Sequence, residues 1–149
     1  MMLVIVSAAI AQDPEPYEKK EFVIIKSTKN YTVAKETATI AAQKLGIKLD
    51  LRGLVPHKKT GLTFTKKICE SENSGIYEYP AYTARGRWDD GEYISIEWSN
   101  QYTEFAKGYY IIVLASGDQT ITKPALSKAK KVYKDAFMKI SSVYMGCMH

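Results

Sequence analysis

The sequence predicts an α+β domain built from two related strand–helix–strand halves. Three observations predict it. Short apolar runs at residues 22–25 and 110–114 are each followed by a turn and then by apolar residues stepping at three and four. The first pass lies over the second at a constant register. A strand-patterned, tyrosine-rich stretch separates the two passes.

In the first pass, Phe22-Val23-Ile24-Ile25 is continuous, apolar and rich in β-branched residues, the pattern of a buried strand. Residues 27–31 form a turn. From Thr32, a candidate N-cap, Ala34, Ala38, Ala41 and Leu45 mark one face of a helix. Gly46 follows, where a left-handed cap belongs. Ile47-Lys48-Leu49-Asp50-Leu51 alternates strictly and predicts a half-buried strand, ended by Arg52-Gly53.

The same events recur near the C-terminus. Tyr110-Ile111-Ile112-Val113-Leu114 predicts a strand and Ser116-Gly117-Asp118 a turn. Pro124 suits the first turn of a helix whose face carries Leu126, Ala129, Tyr133 and Ala136. Residues 140–144 predict a last strand, ended by Gly146. The strands and helices superpose at a shift of 88: Lys19 falls on Lys107, Thr32 on Thr120 and Ala41 on Ala129. After the helix the shift becomes 93 and residues 47–53 fall on 140–146, which predicts a longer second helix. Two units of like composition matching by chance is the alternative to a duplication. Two such halves build a four-stranded sheet with both helices on one face. The opposite face is then wet, ligand-covered, or covered by the middle segment.

That middle segment, residues 54–108, reads as β-rich. Leu62-Thr63-Phe64-Thr65 alternates, residues 76–84 are extended, and Asp90-Gly91 signals a hairpin. Tyr93-Ile94-Ser95-Ile96-Glu97-Trp98 also alternates, placing Tyr93, Ser95 and Glu97 on one face and Ile94, Ile96 and Trp98 on the other.

The 149 residues suit one domain, and 46% hydrophobic with 25% charged residues is ordinary for a globular chain. A net charge of +5 favours anionic partners only weakly. Residues 1–11 are almost wholly apolar and end in Ala9-Ile10-Ala11, the small-x-small pattern of a signal-peptide remnant. The basic n-region is missing, which leaves room for a start upstream. The run is too short to span a bilayer. A core strand is the competing reading. Residues 12–21 read as a polar, proline-containing linker, and residues 22–149 as one domain. The expected location is the bacterial envelope, periplasmic or extracellular, without stable membrane insertion. In an exported chain the even count of cysteines predicts a Cys69–Cys147 disulfide, with two buried thiols as the alternative. Neither cysteine has metal-ligand spacing, so no metal and no cofactor is expected.

The order of elements, with strands of the FVIIKST and YYIIVLASG type, resembles the SPOR (sporulation-related repeat) domain over roughly residues 19–53 and 107–146. The resemblance implies two βαβ repeats of ferredoxin-like topology. It also implies binding of peptidoglycan glycan strands that lack stem peptides, across the helix-free sheet face. Family members join their halves by a short link, whereas here residues 54–108 intervene.

Of the 11 tyrosines, seven fall between Tyr77 and Tyr110. Aromatic faces stack on sugar rings and anchor protein partners. Tyr79, Tyr82, Trp88, Tyr93, Trp98 and Tyr102 are therefore candidate ligand-binding residues. Arg85 and Arg87, beside Trp88, are candidates for a carboxylate or phosphate. The bland reading of these features is internal: aromatics packing an insertion, and Arg85 or Arg87 paired with Asp89 or Asp90. No catalytic set emerges. Asp89 and Asp90 are adjacent on a turn and point apart, which suits acid–base work poorly. Phosphate loops, zinc-protease and serine-hydrolase motifs are absent. Export argues against nucleic acid. The sequence thus predicts a non-catalytic module that binds a cell-wall glycan or another envelope polymer, with a protein-interaction or assembly module of the envelope as the alternative.

Overall fold

A computed structural model describes residues 16–71 and 78–146. The signal-peptide segment, the start of the linker, Tyr77 and Cys147 lie outside the described residues, and with Cys147 the expected disulfide. The chain runs β1 (Tyr17–Thr28), α1 (Tyr31–Leu45), β2 (Leu54–His57), β3 (Gly61–Phe64), α2 (Lys66–Ser71), β4 (Gly91–Trp98), β5 (Tyr110–Gly117), α3 (Gln119–Lys130) and β6 (Phe137–Tyr144). A single 3-10 turn at Ser99–Gln101 follows β4. The fold is α+β, with four strands ordered β4-β5-β1-β6 and every neighbour antiparallel. β2 and β3 form a separate two-stranded ribbon. No helix among the described residues is long and apolar enough to cross a membrane.

Each strand of the main sheet separates two apolar layers. Val23, Ile94, Ile96, Ile112 and Leu114 point to the helix side, where they meet Ala34, Ala38 and Ala41 of α1 and Ala125 and Ala129 of α3. Small alanines let both helices lie close to the sheet. Phe22, Ile24, Ile111, Val113 and Val143 point the other way, onto Tyr102 and Phe105. Each fully buried Ile, Val or Phe contributes roughly 1.5–3 kcal/mol relative to exposure.

Both helices start in the same way. Asn30 Oδ1 accepts the Val33 N–H at 3.2 Å, and Asp118 Oδ1 accepts the Thr120 N–H at 2.9 Å. Asn30, not Thr32, is therefore the first cap. The two caps stand 88 positions apart, the shift expected from the sequence, as do buried Ala34 and Thr122, and Ala41 and Ala129.

Several expectations are corrected. β1 begins at Tyr17, so residues 17–21 are strand rather than linker; their charged side chains hid a ladder that pairs Tyr17 to Glu21 with Tyr144 to Ile140. Residues 47–51 make only one parallel bridge, Leu49 to Ile94. Arg52 and Gly53 (φ +60° and +67°) then turn the chain away. The strand that joins the main sheet beside β5 is β4, from the middle segment, and not residues 47–51. Asp90-Gly91 closes no hairpin; Gly91 opens β4. α3 starts five residues before Pro124, which sits inside it, and at 12 residues it is shorter than the 15 of α1. Residues 131–136 form a return loop instead of the extra turn and a half. α2 has no sequence counterpart in the expectation.

The helix-free face is covered by the middle segment. Gly86 lies so close to it that a Cβ there would stand 3.1 Å from both Phe22 Cζ and Val143 Cγ2, and Tyr102 and Phe105 pack edge-on around the Phe22 ring.

Candidate functional site

The alternation of β4 decides the site. Ile94, Ile96 and Trp98 join the helix-side layer. Ser95 and Glu97 point to the other side and are fully buried. A buried carboxylate is costly without partners. Glu97 Oε1 has three: the Arg52 guanidinium at 2.5 Å, the Tyr82 hydroxyl at 2.7 Å and the Arg85 backbone N–H at 3.1 Å. Its Oε2 meets none among the described residues. Arg52 reaches in from a backbone of positive φ, held by its own N–H on Asp50 Oδ1 at 2.8 Å. It also donates to the Thr83 carbonyl at 2.8 Å and lies 3.6 Å from Asp89. Burial pulls the Arg52 pKa down, but the Glu97 charge, with Tyr82 and Asp89, more than reverses this and holds it above the ordinary arginine value.

Arg85 is fully buried beside this pair. Its Nε donates to Ser116 Oγ at 3.0 Å and its Nη2 to the Gly91 carbonyl at 2.9 Å. Nη1 reaches the Tyr93 carbonyl at 2.7 Å, Ser95 Oγ at 3.0 Å and the Val113 carbonyl at 3.2 Å. Its plane lies 3.5 Å over the Tyr93 ring. Burial lowers its pKa, against the opposing pull of Tyr93 and Glu97. The Tyr102 hydroxyl donates to the Arg85 carbonyl at 2.9 Å. Asp89 closes the loop by accepting the Gly86 N–H at 2.8 Å and the Tyr93 hydroxyl at 3.0 Å. Burial pushes the Tyr82 and Tyr102 hydroxyls well above the usual tyrosine value, with Glu97 adding to the effect.

The candidates therefore divide. Tyr82, Arg85, Tyr93 and Tyr102 come together, but inside, around Glu97. Their donors and acceptors are spent on the protein, which makes them a clasp between the insertion and the sheet. The expected pairing of Arg85 or Arg87 with Asp89 or Asp90 does not form: Asp89 pairs with Arg52, and Asp90 with Lys20 at 2.5 Å. Trp98 lies on the opposite side of β4, 4.8 Å from the Tyr110 ring. Tyr79 stands apart, 39% exposed, with its ring 5.8 Å from His57 and 5.2 Å from the Lys66 ammonium. Cys69 is buried.

Trp88 and Arg87 are the remaining candidates, and Arg87 is only partly exposed, its Nε buried and without a hydrogen-bond partner among the described residues. Trp88 is 73% exposed. Arg87 donates to the Met145 carbonyl at 3.0 Å and holds its guanidinium 5.9 Å from the Tyr144 ring. Tyr144 and Tyr17 are both half exposed, with rings 5.5 Å apart across the β1–β6 ladder. The sequence offered no signal for these two tyrosines, because they lie outside the aromatic-rich segment and meet only through strand pairing. The result is an edge that combines exposed aromatic rings with a cation. No protein-family model, no curated protein and no solved structure matches the chain.

Proposed function

We propose that the chain is an exported, non-catalytic binding module that recognises a cell-wall glycan or a related envelope polymer. The observation that carries this reading is the edge formed by Tyr17, Tyr144 and Arg87, with the exposed Trp88 next to Arg87 in the chain. Exposed rings offer flat apolar faces to sugars, and a guanidinium beside them suits the carboxylates and hydroxyls of an envelope polymer. In keeping with a non-catalytic role, Glu97 and the part-exposed Asp89 are both engaged by Arg52. A duplicated, ferredoxin-like and SPOR-like ancestry is part of the same proposal. It draws on the strand order β4-β5-β1-β6 and the caps 88 positions apart. Because Gly86, Tyr102 and Phe105 occupy the middle of the helix-free face, the reading moves the ligand from the face to its edge. The test is co-sedimentation of the protein with purified sacculi, with and without stem peptides. Pelleting that Trp88→Ala and Tyr144→Ala reduce is expected; failure to pellet with either preparation defeats the reading.

A second reading, an assembly module of the envelope, is favoured by β6. It is a sheet edge with Phe137, Met138 and Ile140 all exposed. An open edge strand is a template for another chain. Sedimentation equilibrium of the wild type and Ile140→Lys separates this reading from the first.

A further inference from the structure

A concavity lies at the opposite end of β6 from Tyr144. The β1–β6 ladder stops at the Ile24–Phe137 pair, while β1 runs on to Thr28. α3 stops at Lys130, and residues 131–136 return to β6 as a loop. Between that loop, the end of β1 and Thr37 of α1 a cavity of about 680 Å³ remains open to solvent. Its apolar wall is Ile25 with Val132 and Phe137, the last two 43% and 42% exposed. Large apolar side chains exposed inside a concavity mark a surface that gains by being covered.

Its charged groups are Lys26, Lys134 and Asp135. None of them forms an ion pair within 4 Å among the described residues, whereas Lys20 and Lys128 elsewhere are paired with Asp90 and Glu92. The lining thus carries one net positive charge beside apolar surface. We propose that this cavity binds a small amphipathic anion, an acyl or aryl monocarboxylate. Its apolar body lies against Ile25, Val132 and Phe137, and its carboxylate meets the ammonium groups of Lys26 and Lys134. Asp135 disfavours a more highly charged ligand. The site and its ligand are independent of the aromatic edge.

The test is titration of the 15N-labelled full chain with decanoate and with decanol. Decanoate is expected to shift the amides of residues 25–27, 37 and 132–137 saturably, and decanol to bind there more weakly. The exposed pair Lys26→Gln/Lys134→Gln is expected to weaken decanoate by about fivefold to tenfold while leaving decanol unchanged. Phe137→Ser weakens both, and an otherwise wild-type amide spectrum shows that each variant is folded. Absence of saturable shifts at these amides, shifts centred elsewhere, or equal binding of decanol and decanoate overturns the proposal.

Discussion

The Arg52 guanidinium lies 2.5 Å from the Glu97 carboxylate, joining the turn after α1 to the C-terminal end of β4. Glu97 is fully buried, so the pair is the point where the insertion is fixed to the sheet. Removing one partner of such a pair leaves an uncompensated charge. Glu97→Ala is expected to lower unfolding free energy by about 3–5 kcal/mol, and Glu97→Gln by less. In chemical denaturation, a double-mutant cycle of Arg52→Ala with Glu97→Gln should give a coupling of at least about 1 kcal/mol. A coupling near zero would show that Tyr82 and the Arg85 backbone hold Glu97 without Arg52.

The same cluster predicts alkaline instability. Tyr82 and Tyr102 are pushed well above their ordinary pKa of 10.0, chiefly by burial. In the unfolded chain they lose protons near that ordinary value, while in the folded protein they keep them. Their contribution is therefore fully present below pH ~10 and is lost as pH rises beyond it. Stability measured from pH 8 to 12 should fall above pH ~10. Tyr102→Phe, which cannot ionise, should flatten that fall while costing about 1 kcal/mol at neutral pH for the lost bond to the Arg85 carbonyl.

How much of this was legible depended on whether the determinant was local. The faces of β4 were readable because alternation is a property of consecutive residues, and the structure keeps Ile94, Ile96 and Trp98 apart from Ser95 and Glu97. The helix repeats were readable because Ala34, Ala38 and Ala41 follow a fixed period. Residues 47–51 alternate just as well as 91–98, and only pairing with distant β5 decides between them. The fates of Arg85 and Arg87 were illegible for a similar reason. The two are alike in sequence, yet one guanidinium points into the sheet layer and the other lies along its edge at Met145. Aromatic content marked the segment as important without saying which rings face in.

Glu104 guards the sheet edge. Its carboxylate accepts the Ser142 N–H at 3.1 Å and the Ser141 hydroxyl at 2.9 Å, so one outward amide of β6 is occupied. Hydrogen bonds from Thr103, Ser142 and Ser141 hold the Glu104 pKa below its ordinary 4.5. A depressed carboxylate supports the native arrangement above the ordinary value and stops doing so as pH falls through its folded value. Glu104→Ala is expected to speed hydrogen exchange at the Ser142 amide relative to wild type at pH 6. In the wild type that protection should weaken only below pH ~4.5. Equal Ser142 protection in both proteins at pH 6 would show that the amide has another acceptor.

Gly61 tests the seating of the β2–β3 ribbon on the sheet. Its φ is +72°, its carbonyl accepts the Tyr110 hydroxyl at 2.8 Å, and a Cβ there would fall within the Trp98 ring. Gly46 has a similar φ of +64° but nothing within 4 Å of an added Cβ. Gly46→Ala therefore meets backbone strain alone, about 1 kcal/mol. Gly61→Ala adds the displacement of a tryptophan that is packed on Tyr110 at 4.8 Å, for a total of about 3 kcal/mol. The ring must move, so Trp98 fluorescence should shift in Gly61→Ala and not in Gly46→Ala. Equal losses for the two substitutions would mean that the ribbon yields to the added methyl and that the Trp98 contact does not hold it in place.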